Sequence, residues 1–404
     1  TDLAAVRQGA KPDSVGMLLP GDPVTPGFET IRQPSFALSV MIVLDNGHVA
    51  RGDCMATLFP GRGRRAGIET PQMLQPALEA VSGMLIGRDI SDFRQNDALL
   101  RDFLHEGQRL SPALRYGISQ ALLSGAAAAR RMTAAELLAE EWQLPVELAP
   151  VPLNLQTGPD FERGLDRIIL RRGDIIHSRN PHHPDMLPAV GRFLSYASER
   201  IRNHGASGYT PRIHIDFYGV LGTVHGNDLD AIADYLASLA EQALPFHVIF
   251  GDPVELESRA LQVSAMSGLR ARLKRRGATI ALLAESHCLT AEDHAAFAGA
   301  DAADYCKVRP LDLGNISDVM DVALSHGRSR PERRTGIYLT GSATETHLAA
   351  QTRAHIAMAV EADFMLASPG LGVDEAHSNI TNEFRCAIAL AASRNSAPAS
   401  NSLS

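Results

Sequence analysis

The sequence predicts an α/β protein: a TIM-type (β/α) barrel that follows an N-terminal α+β capping domain. Three observations predict this fold. From about residue 150 onward, short apolar runs with strand character alternate with amphipathic helices, which is typical of parallel βα units. There are eight such runs, the number of strands in a closed barrel of this type. The first 150 residues lack this alternation and combine a hairpin pattern with long helical stretches.

The capping domain is predicted to span residues 1–150. Residues 35–50 contain two β-branched runs, and an Asp-Asn-Gly sequence at 45–47 supplies the turn of a β-hairpin. Residues 71–142 are rich in strong helix formers, with apolar residues at helical spacing. Between these two parts, glycines alternate with arginines at 61–65, which indicates a flexible loop.

The barrel is predicted to span residues 151–392. Helices separate the strands; in the segment 228–245, apolar residues line one face and Asp228 is a plausible N-cap. The final residues, 393–404, are small and polar, which predicts a disordered tail. An open doubly wound sheet is the structural alternative. The eight apolar runs are 151–156, 167–177, 212–217, 246–252, 279–285, 304–309, 335–341 and 363–368.

Composition excludes several classes of function. The chain has 38 basic and 46 acidic residues, a formal charge of −8, which argues against binding to nucleic acid or to an anionic membrane. No apolar run approaches the roughly 20 residues of a membrane-spanning helix. Four scattered cysteines without a CxxC pair indicate reduced thiols and a cytoplasmic location. The spacing of His182, His183, His287, Cys288 and Cys306 matches no tetrahedral zinc motif.

Three carboxylates, Asp216, Asp252 and Glu285, end successive apolar runs. In a barrel these ends converge at the catalytic face, where the three groups would repel one another unless a cation lay among them. Oxygen ligands favour a hard ion such as Mg²⁺. Such an ion would hold a substrate carboxylate and stabilise the second negative charge that forms when the adjacent carbon loses a proton. The alternative is that each carboxylate is only the N-cap of the next helix.

Lys307 and Arg309 lie two residues apart on one strand and therefore face the same side. Inside the barrel, a lysine with a lowered pKa would act as a general base, and an arginine would grip a carboxylate. Structural salt bridges to Glu285 and Asp216 are the alternative. His177 ends another run and is the second candidate acid/base group, for the opposite face of a planar intermediate.

Eight segments of the chain form a recognisable set. They are TPGFETIRQ, LSVMIVLDNGHVARGDC and ALRYGISQALL before the barrel, and LNLQTG, RIHIDFYGVLG, LDLGNI, TGSATET and SPGLGVDE within it. These segments resemble those of methylaspartate ammonia-lyases, a family of the enolase superfamily. The resemblance implies an enolase-like fold, a modified TIM barrel with an α+β cap, usually a homodimer. It also implies elimination of ammonia from 3-methylaspartate with Mg²⁺, and activation by K⁺.

Carried onto this sequence, the resemblance implies that Asp216 is the first metal ligand and Glu285 the third. The position of the second ligand, a glutamate in the family, holds Gly251, and the neighbouring Asp252 is the candidate replacement. The catalytic lysine of the family falls on Arg309, which does not deprotonate in proteins. A substrate-binding glutamine of the family falls on Lys307.

The same resemblance implies that His177 is an acid/base histidine. It assigns substrate carboxylate groups to Gln156, Ser342 and Ala343, and the methyl pocket to Leu366. Because the lysine has moved by two positions on one strand face, we expect Lys307 to serve as the base and His177 as its partner.

The substrate expected from these residues is an amino diacid or a related carboxylate. Two alternatives stay open at this stage. One is a different enolase-type reaction, a dehydration or an epimerisation. The other is a catalytically inactive homologue, because both the glutamate ligand and the family's lysine are replaced.

Overall fold

The computed structural model describes residues 1–11, 18–55, 59–60, 65, 67–145, 147–326 and 335–396. Within them, the chain forms a small antiparallel sheet with helices, followed by a closed barrel of parallel strands. This confirms the predicted fold class and excludes the open doubly wound sheet. None of the helices in the described ranges is long and apolar enough to cross a membrane.

The N-terminal region confirms the predicted hairpin. Strand β1 (Ala37–Val43) pairs antiparallel with β2 (Val49–Met55), and Gly47 at φ +82° lies in the turn. A helix at residues 112–129 packs closely on β2, since a Cβ on Gly52 would lie 2.0 Å from the Gly117 carbonyl oxygen. The remaining elements are α1 (Leu3–Arg7), α2 (Pro71–Leu85), α3 (Phe93–Asp102), β3 (Leu104–His105), β4 (Gln108–Arg109), α4 (Pro112–Ala129) and α5 (Ala134–Glu141).

Eight strands form the barrel, and each pairs in parallel with the next along the chain until the last pairs with the first. They are β5 (Leu153–Gln156), β6 (Ile175–His177), β7 (Arg212–Asp216), β8 (Val248–Gly251), β9 (Ile280–Ala284), β10 (Tyr305–Val308), β11 (Gly336–Leu339) and β12 (Phe364–Leu366). The helices that follow the strands are α6 (Phe161–Arg171), α7 (Leu187–His204), α8 (Val220–Val224), α9 (Leu229–Gln242), α10 (Arg259–Arg275), α11 (Ala291–Gly299), α12 (Pro310–Leu313), α13 (Ile316–His326), α14 (His347–Ala359) and α15 (Val373–Ser396).

Two predicted boundaries are wrong. The apolar run 167–177 begins with the last five residues of α6, which ends before the left-handed Arg172, and only its last three residues form β6. The final helix continues to Ser396, so residues 393–396 are helical and do not belong to the tail. Residues 397–404 of the predicted tail and 61–64 of the predicted loop lie outside the described residues.

The helix predicted within 228–245 is α9, and its N-cap is confirmed. The Asp228 carboxylate accepts hydrogen bonds from the Asp230 and Ala231 N–H groups. Such a cap satisfies backbone donors that have no partner within the helix. The capped helix then buries its apolar face against the barrel wall.

The barrel interior holds its own apolar cluster, separate from the larger core between wall and helices. The cluster is formed by Ile175, Ile249, Leu283, Tyr338, Phe364 and Leu366. Strand side chains on one face recur every second residue. The inward residues two positions after the first three members are His177, Gly251 and Glu285. The apolar cluster therefore lies one layer below a polar layer at the carboxyl ends of the strands.

Candidate active site

A cluster of charged side chains fills the upper layer of the barrel, where its strands end. His177 ends β6, Asp216 ends β7, and Glu285 follows β9 directly. Lys307 lies on β10, and Arg309 follows that strand. None of these five residues is more than 5% exposed. Because parallel strands deliver their carboxyl ends to one face, residues far apart in sequence meet here.

Lys307 bridges two of the carboxylates. Its Nζ lies 2.7 Å from Asp216 Oδ2 and 2.8 Å from Glu285 Oε2. Burial by itself lowers the pKa of the Lys307 ammonium, but the two carboxylates outweigh burial, and the pKa is raised above its ordinary value. This direction is opposite to the one expected from the sequence, and the contacts are those of the alternative, salt bridges to Asp216 and Glu285.

Two arginines hold the other side of Glu285. Arg309 donates to Glu285 Oε1 at 2.8 Å, and Arg65 donates to the same oxygen at 3.2 Å. Both guanidinium groups also pair with Asp312, at 2.8 and 3.1 Å. Burial opposes the charge of Arg309, but Asp312 and Glu285 raise its pKa further. Arg65 belongs to the N-terminal region, so this region contributes a side chain to the site.

Asp216 is held from the opposite side by two histidines. His214 Nε2 lies 3.1 Å from Asp216 Oδ1, and His177 Nε2 lies 3.4 Å from Oδ2. Burial raises the pKa of the Asp216 carboxyl, but Lys307 and the histidines lower it well below its usual value. The same burial lowers the pKa of His214 to about 4, so this imidazole is neutral.

The two ring nitrogens of His177 have different surroundings. Its Nε2 faces Asn180 Oδ1 at 3.0 Å as well as the Asp216 carboxylate, and two oxygen acceptors assign a proton to Nε2. Asn180 Oδ1 also accepts from the Asp216 N–H at 3.1 Å, which fixes the amide orientation. His177 Nδ1 is buried and makes no hydrogen bond within the described part of the chain.

Asp252 does not join the other two carboxylates. It has φ +40°, and its carboxylate accepts hydrogen bonds from the Glu285 N–H, the Ser286 N–H and the Ser286 hydroxyl at 2.7–3.0 Å. Gly251 takes the inward position instead. A Cβ there would lie 1.9 Å from Asp216 Oδ1, so Asp216 occupies the space that a side chain on β8 would need.

Lys307 lies between Asp216 and Glu285, two of the carboxylates expected to hold Mg²⁺. Among the described residues, two groups of metal-type donors have atoms within 4.8 Å of one another, and neither combines Asp216, Asp252 and Glu285. One of them, His177 with His214 and Asp216, consists of the stacked imidazoles that hydrogen-bond to the carboxylate. The upper layer already balances three cations against three carboxylates. A dication added to these pairs without displacing a cation would bring two further positive charges into a buried site.

The predicted substrate-binding positions surround this cluster. Gln156 is half-buried at the end of β5 and is paired in register with His177. Leu366 belongs to the apolar cluster beneath the site. Ser342 is buried, with its hydroxyl 2.7 Å from the Thr344 hydroxyl, and Ala343 beside it is exposed. The Arg309 guanidinium donates to the Gly341 carbonyl at 3.3 Å, which brings this loop next to the charged cluster.

Sequence reasoning missed Arg65, Asp312, His214 and Asn180 as parts of the site. Arg65 was assigned only to a flexible loop, and nothing in its spacing predicts a contact with Glu285. His214 carried a usable signal, because it lies two residues before Asp216 and therefore on the same strand face. Asp312 likewise lies three residues after Arg309, at the start of a helical turn.

The closed barrel, the N-terminal cap and the charged strand ends define a (β/α)-barrel enzyme of the enolase type. Models of the methylaspartate ammonia-lyase N-terminus and C-terminus match residues 1–143 and 145–393. The chain belongs to the methylaspartate ammonia-lyase family. Ammonia-lyases are carbon–nitrogen lyases, which agrees with the class of enzyme that the resemblance implied.

Relatives match over nearly the whole chain. Methylaspartate ammonia-lyase 2 of Carboxydothermus hydrogenoformans is 38% identical, covering 96% of this chain and 94% of the relative. The structure of the Citrobacter amalonaticus enzyme containing (2S,3S)-3-methylaspartic acid is 31% identical, with a TM-score of 0.89 over 97% of this chain and 95% of that one.

The Mg complex of Clostridium tetanomorphum β-methylaspartase is 33% identical, with a TM-score of 0.86 over 97% and 95% of the two chains. Muconate lactonizing enzyme from Pseudomonas putida shares the fold alone, at 17% identity and a TM-score of 0.57 over 81% and 80%.

Proposed function

We propose that the protein is a carbon–nitrogen lyase that removes a proton from the carbon next to a carboxylate of an amino diacid and expels ammonia. The observation that carries this proposal is the buried group of charged side chains at the strand ends, here called the strand-end cluster (His177, Asp216, Glu285, Lys307 and Arg309, with Arg65 and Asp312 beside them). In it, His177 lies in the same layer as three cationic side chains. Family membership supports the reaction class. The Citrobacter amalonaticus relative contains (2S,3S)-3-methylaspartic acid, which supports 3-methylaspartate as the first substrate to test.

His177 takes the role of acid/base group in this proposal. Its Nδ1 makes no hydrogen bond within the described residues, so this atom is available to exchange a proton with the substrate. Lys307 is not assigned as the base, since its ammonium is held by Asp216 and Glu285 and its pKa is raised. Lys307 instead supplies fixed positive charge, and Arg309 supplies a second one.

The substrate's carboxylate groups are proposed to lie against Lys307 and Arg309 on one side, and against Gln156, Ser342 and Ala343 on the other. Leu366 would contact an apolar substituent such as a methyl group. Arginine is suited to this task because its planar donors match the two oxygens of a carboxylate.

The metal requirement is where this chain departs from its relative. The Clostridium tetanomorphum enzyme is a Mg complex, whereas here Lys307 joins the two carboxylates that would be the ligands. We therefore propose that the Lys307 ammonium takes the place of Mg²⁺. Without the dication, activation by K⁺ is not expected.

The test is turnover of 3-methylaspartate by protein treated with a chelator, compared with protein supplied with Mg²⁺ and K⁺. We expect the unsaturated diacid to form at equal rates in both samples, as measured by its ultraviolet absorbance. We also expect the substrate's carbon-bound hydrogen to exchange in deuterated water. Exchange without ammonia release over a panel of hydroxy- and amino-diacids would indicate another enolase-type reaction. Neither exchange nor product with any of them would contradict the proposal and favour an inactive homologue.

We also propose that the chain divides into a capping domain at residues 1–150 and a barrel domain at 151–392. The two family models support this division because they meet near residue 144. A homodimer in the cytoplasm, acting in amino-acid degradation, is the assembly and setting we propose from the family resemblance and the unpaired cysteines. Sedimentation analysis tests the dimer.

A further inference from the structure

A second buried group of side chains lies on the opposite face of strand β10 from Lys307. Cys306 is on this strand, Cys288 follows β9, and His294 is on α11. The two sulfur atoms and one ring nitrogen of His294 all lie within 4.8 Å of one another. The three residues are at most 2% exposed. This thiol–imidazole group lies in the core between the barrel wall and the outer helices, outside the charged cluster.

His294 is a polar side chain enclosed in the core. The residue is fully buried, and in the described part of the chain neither ring nitrogen makes a hydrogen bond of good geometry. Burial, assisted by His326, lowers the pKa of His294 to about 3 against the opposing effects of Asp293 and a Cys288 backbone contact, so the ring is neutral. A neutral imidazole has a nitrogen lone pair that can bind a metal ion.

Two thiols and an imidazole form a soft donor set. Sulfur and imidazole ligands select Zn²⁺ over Mg²⁺. In a tetrahedral zinc site with Zn–S of about 2.3 Å and Zn–N of about 2.0 Å, the ligand atoms lie roughly 3.3–3.8 Å apart. The three donor atoms, which lie within 4.8 Å of one another, would have to move only slightly closer together to bind the ion. The ring centroid of His326, at the end of α13, lies 5.3 Å from that of His294.

We propose that Cys288, His294 and Cys306 bind a structural zinc ion. The ion joins the loop after β9 to strand β10 and to helix α11. The Cys288 N–H donates to the Glu285 carbonyl at 3.1 Å, and Cys306 directly precedes Lys307 in sequence. The zinc therefore holds together the two segments that carry Glu285 and Lys307. This inference does not depend on the proposed lyase reaction.

The first experiment is a Co²⁺ titration of metal-free, reduced wild-type protein, followed by Zn²⁺. We expect one Co²⁺ per chain, a thiolate-to-cobalt charge-transfer band in the near ultraviolet, and displacement by one Zn²⁺ with a rise in melting temperature. No binding at micromolar metal, or binding without the thiolate band, overturns the proposal. A disulfide between Cys288 and Cys306 in the protein as purified overturns it as well.

Variants then locate the ion. Cys306→Ser and His294→Gln are expected to remove tight zinc binding, with circular dichroism used to verify folding. Cys386→Ser, which removes an exposed thiol outside the group, is the matched control and should bind like the wild type. Asp216→Asn should keep the thiolate band. Loss of binding in Asp216→Asn, with binding retained in His294→Gln, would assign the ion to the strand-end cluster and contradict the proposal.

Discussion

The strand-end cluster and the thiol–imidazole group lie on opposite faces of the same strand, β10, and they treat buried polar atoms differently. In the strand-end cluster, Lys307, Arg309 and Arg65 meet an equal number of carboxylates. In the thiol–imidazole group, His294 makes no well-formed hydrogen bond among the described residues. The comparison teaches that a side chain of the protein, Lys307, supplies the cation of the strand-end cluster. The thiol–imidazole group instead offers sulfur and nitrogen donors that could bind a metal ion from solution.

The largest expected effect concerns the base of the strand-end cluster. His177→Asn should reduce hydrogen exchange at the substrate carbon by about 10²–10⁴-fold, because it removes the proton acceptor. Exchange is followed by mass spectrometry in deuterated water. The exposed His48 is the control position, and His48→Gln should leave the rate unchanged. Exchange that survives in His177→Asn would give the base role to another group.

Replacing Lys307, which pairs with two buried carboxylates, should strongly reduce stability. Lys307→Met leaves Asp216 and Glu285 buried without their common partner, which should lower the free energy of unfolding by about 3–5 kcal/mol. Urea denaturation measures the change. Lys274, which is mostly exposed in its pair with Asp301, is the matched control, and Lys274→Met should change stability by less than about 1 kcal/mol. Equal effects at both positions would mean that Lys307 does not compensate the carboxylates.

The pH dependence of stability compares one histidine from each site. Burial lowers the pKa of His214 to about 4 and of His294 to about 3, so below pH 6.5 the unfolded chain binds protons that the folded chain excludes. Stability should therefore be fully present above about pH 6.5 and fall between pH 6.5 and 4. Each histidine contributes about 1.4 kcal/mol per pH unit to this slope.

His214→Gln and His294→Gln should each make the slope shallower in metal-free protein. Denaturation at a series of pH values measures it. Bound zinc should remove the contribution of His294 alone, which would sharpen the difference between the two sites. An unchanged slope in both variants would mean that these histidines are not the buried neutral groups.

The smallest effect tests the space inside the barrel. Gly251→Ala should lower the free energy of unfolding by about 1–3 kcal/mol, because its Cβ would overlap Asp216 Oδ1. Gly83 lies in helix α2, where an added methyl group would meet no atom within 4 Å, so Gly83→Ala should raise stability by up to about 1 kcal/mol. Changes of the same sign at both glycines would contradict the packing at Gly251.

The strand ends could be predicted from sequence because polar residues interrupt apolar runs, and the barrel brings those ends together. The sequence predicted the salt bridges of Lys307 only as the alternative to a lysine base. It does not show whether the neighbouring carboxylates pair with the lysine itself or with a metal ion. The orientation of Asp252 depends on a left-handed backbone that no residue pattern indicates. Cys288 and Cys306 were set aside as zinc ligands because their spacing matches no zinc motif, and His294 was not considered. The three residues come from separate elements, whereas zinc motifs are recognised by short spacing.

The most direct test of the central claim is calorimetric titration of Mg²⁺ into the wild-type protein and into Lys307→Met. If the Lys307 ammonium stands in for the dication, the wild type will not bind Mg²⁺ at millimolar concentrations, and the variant will bind it through the carboxylates that the lysine released. Stoichiometric binding to the wild type that is lost in Asp216→Asn would contradict this account and restore the metal to the strand-end cluster.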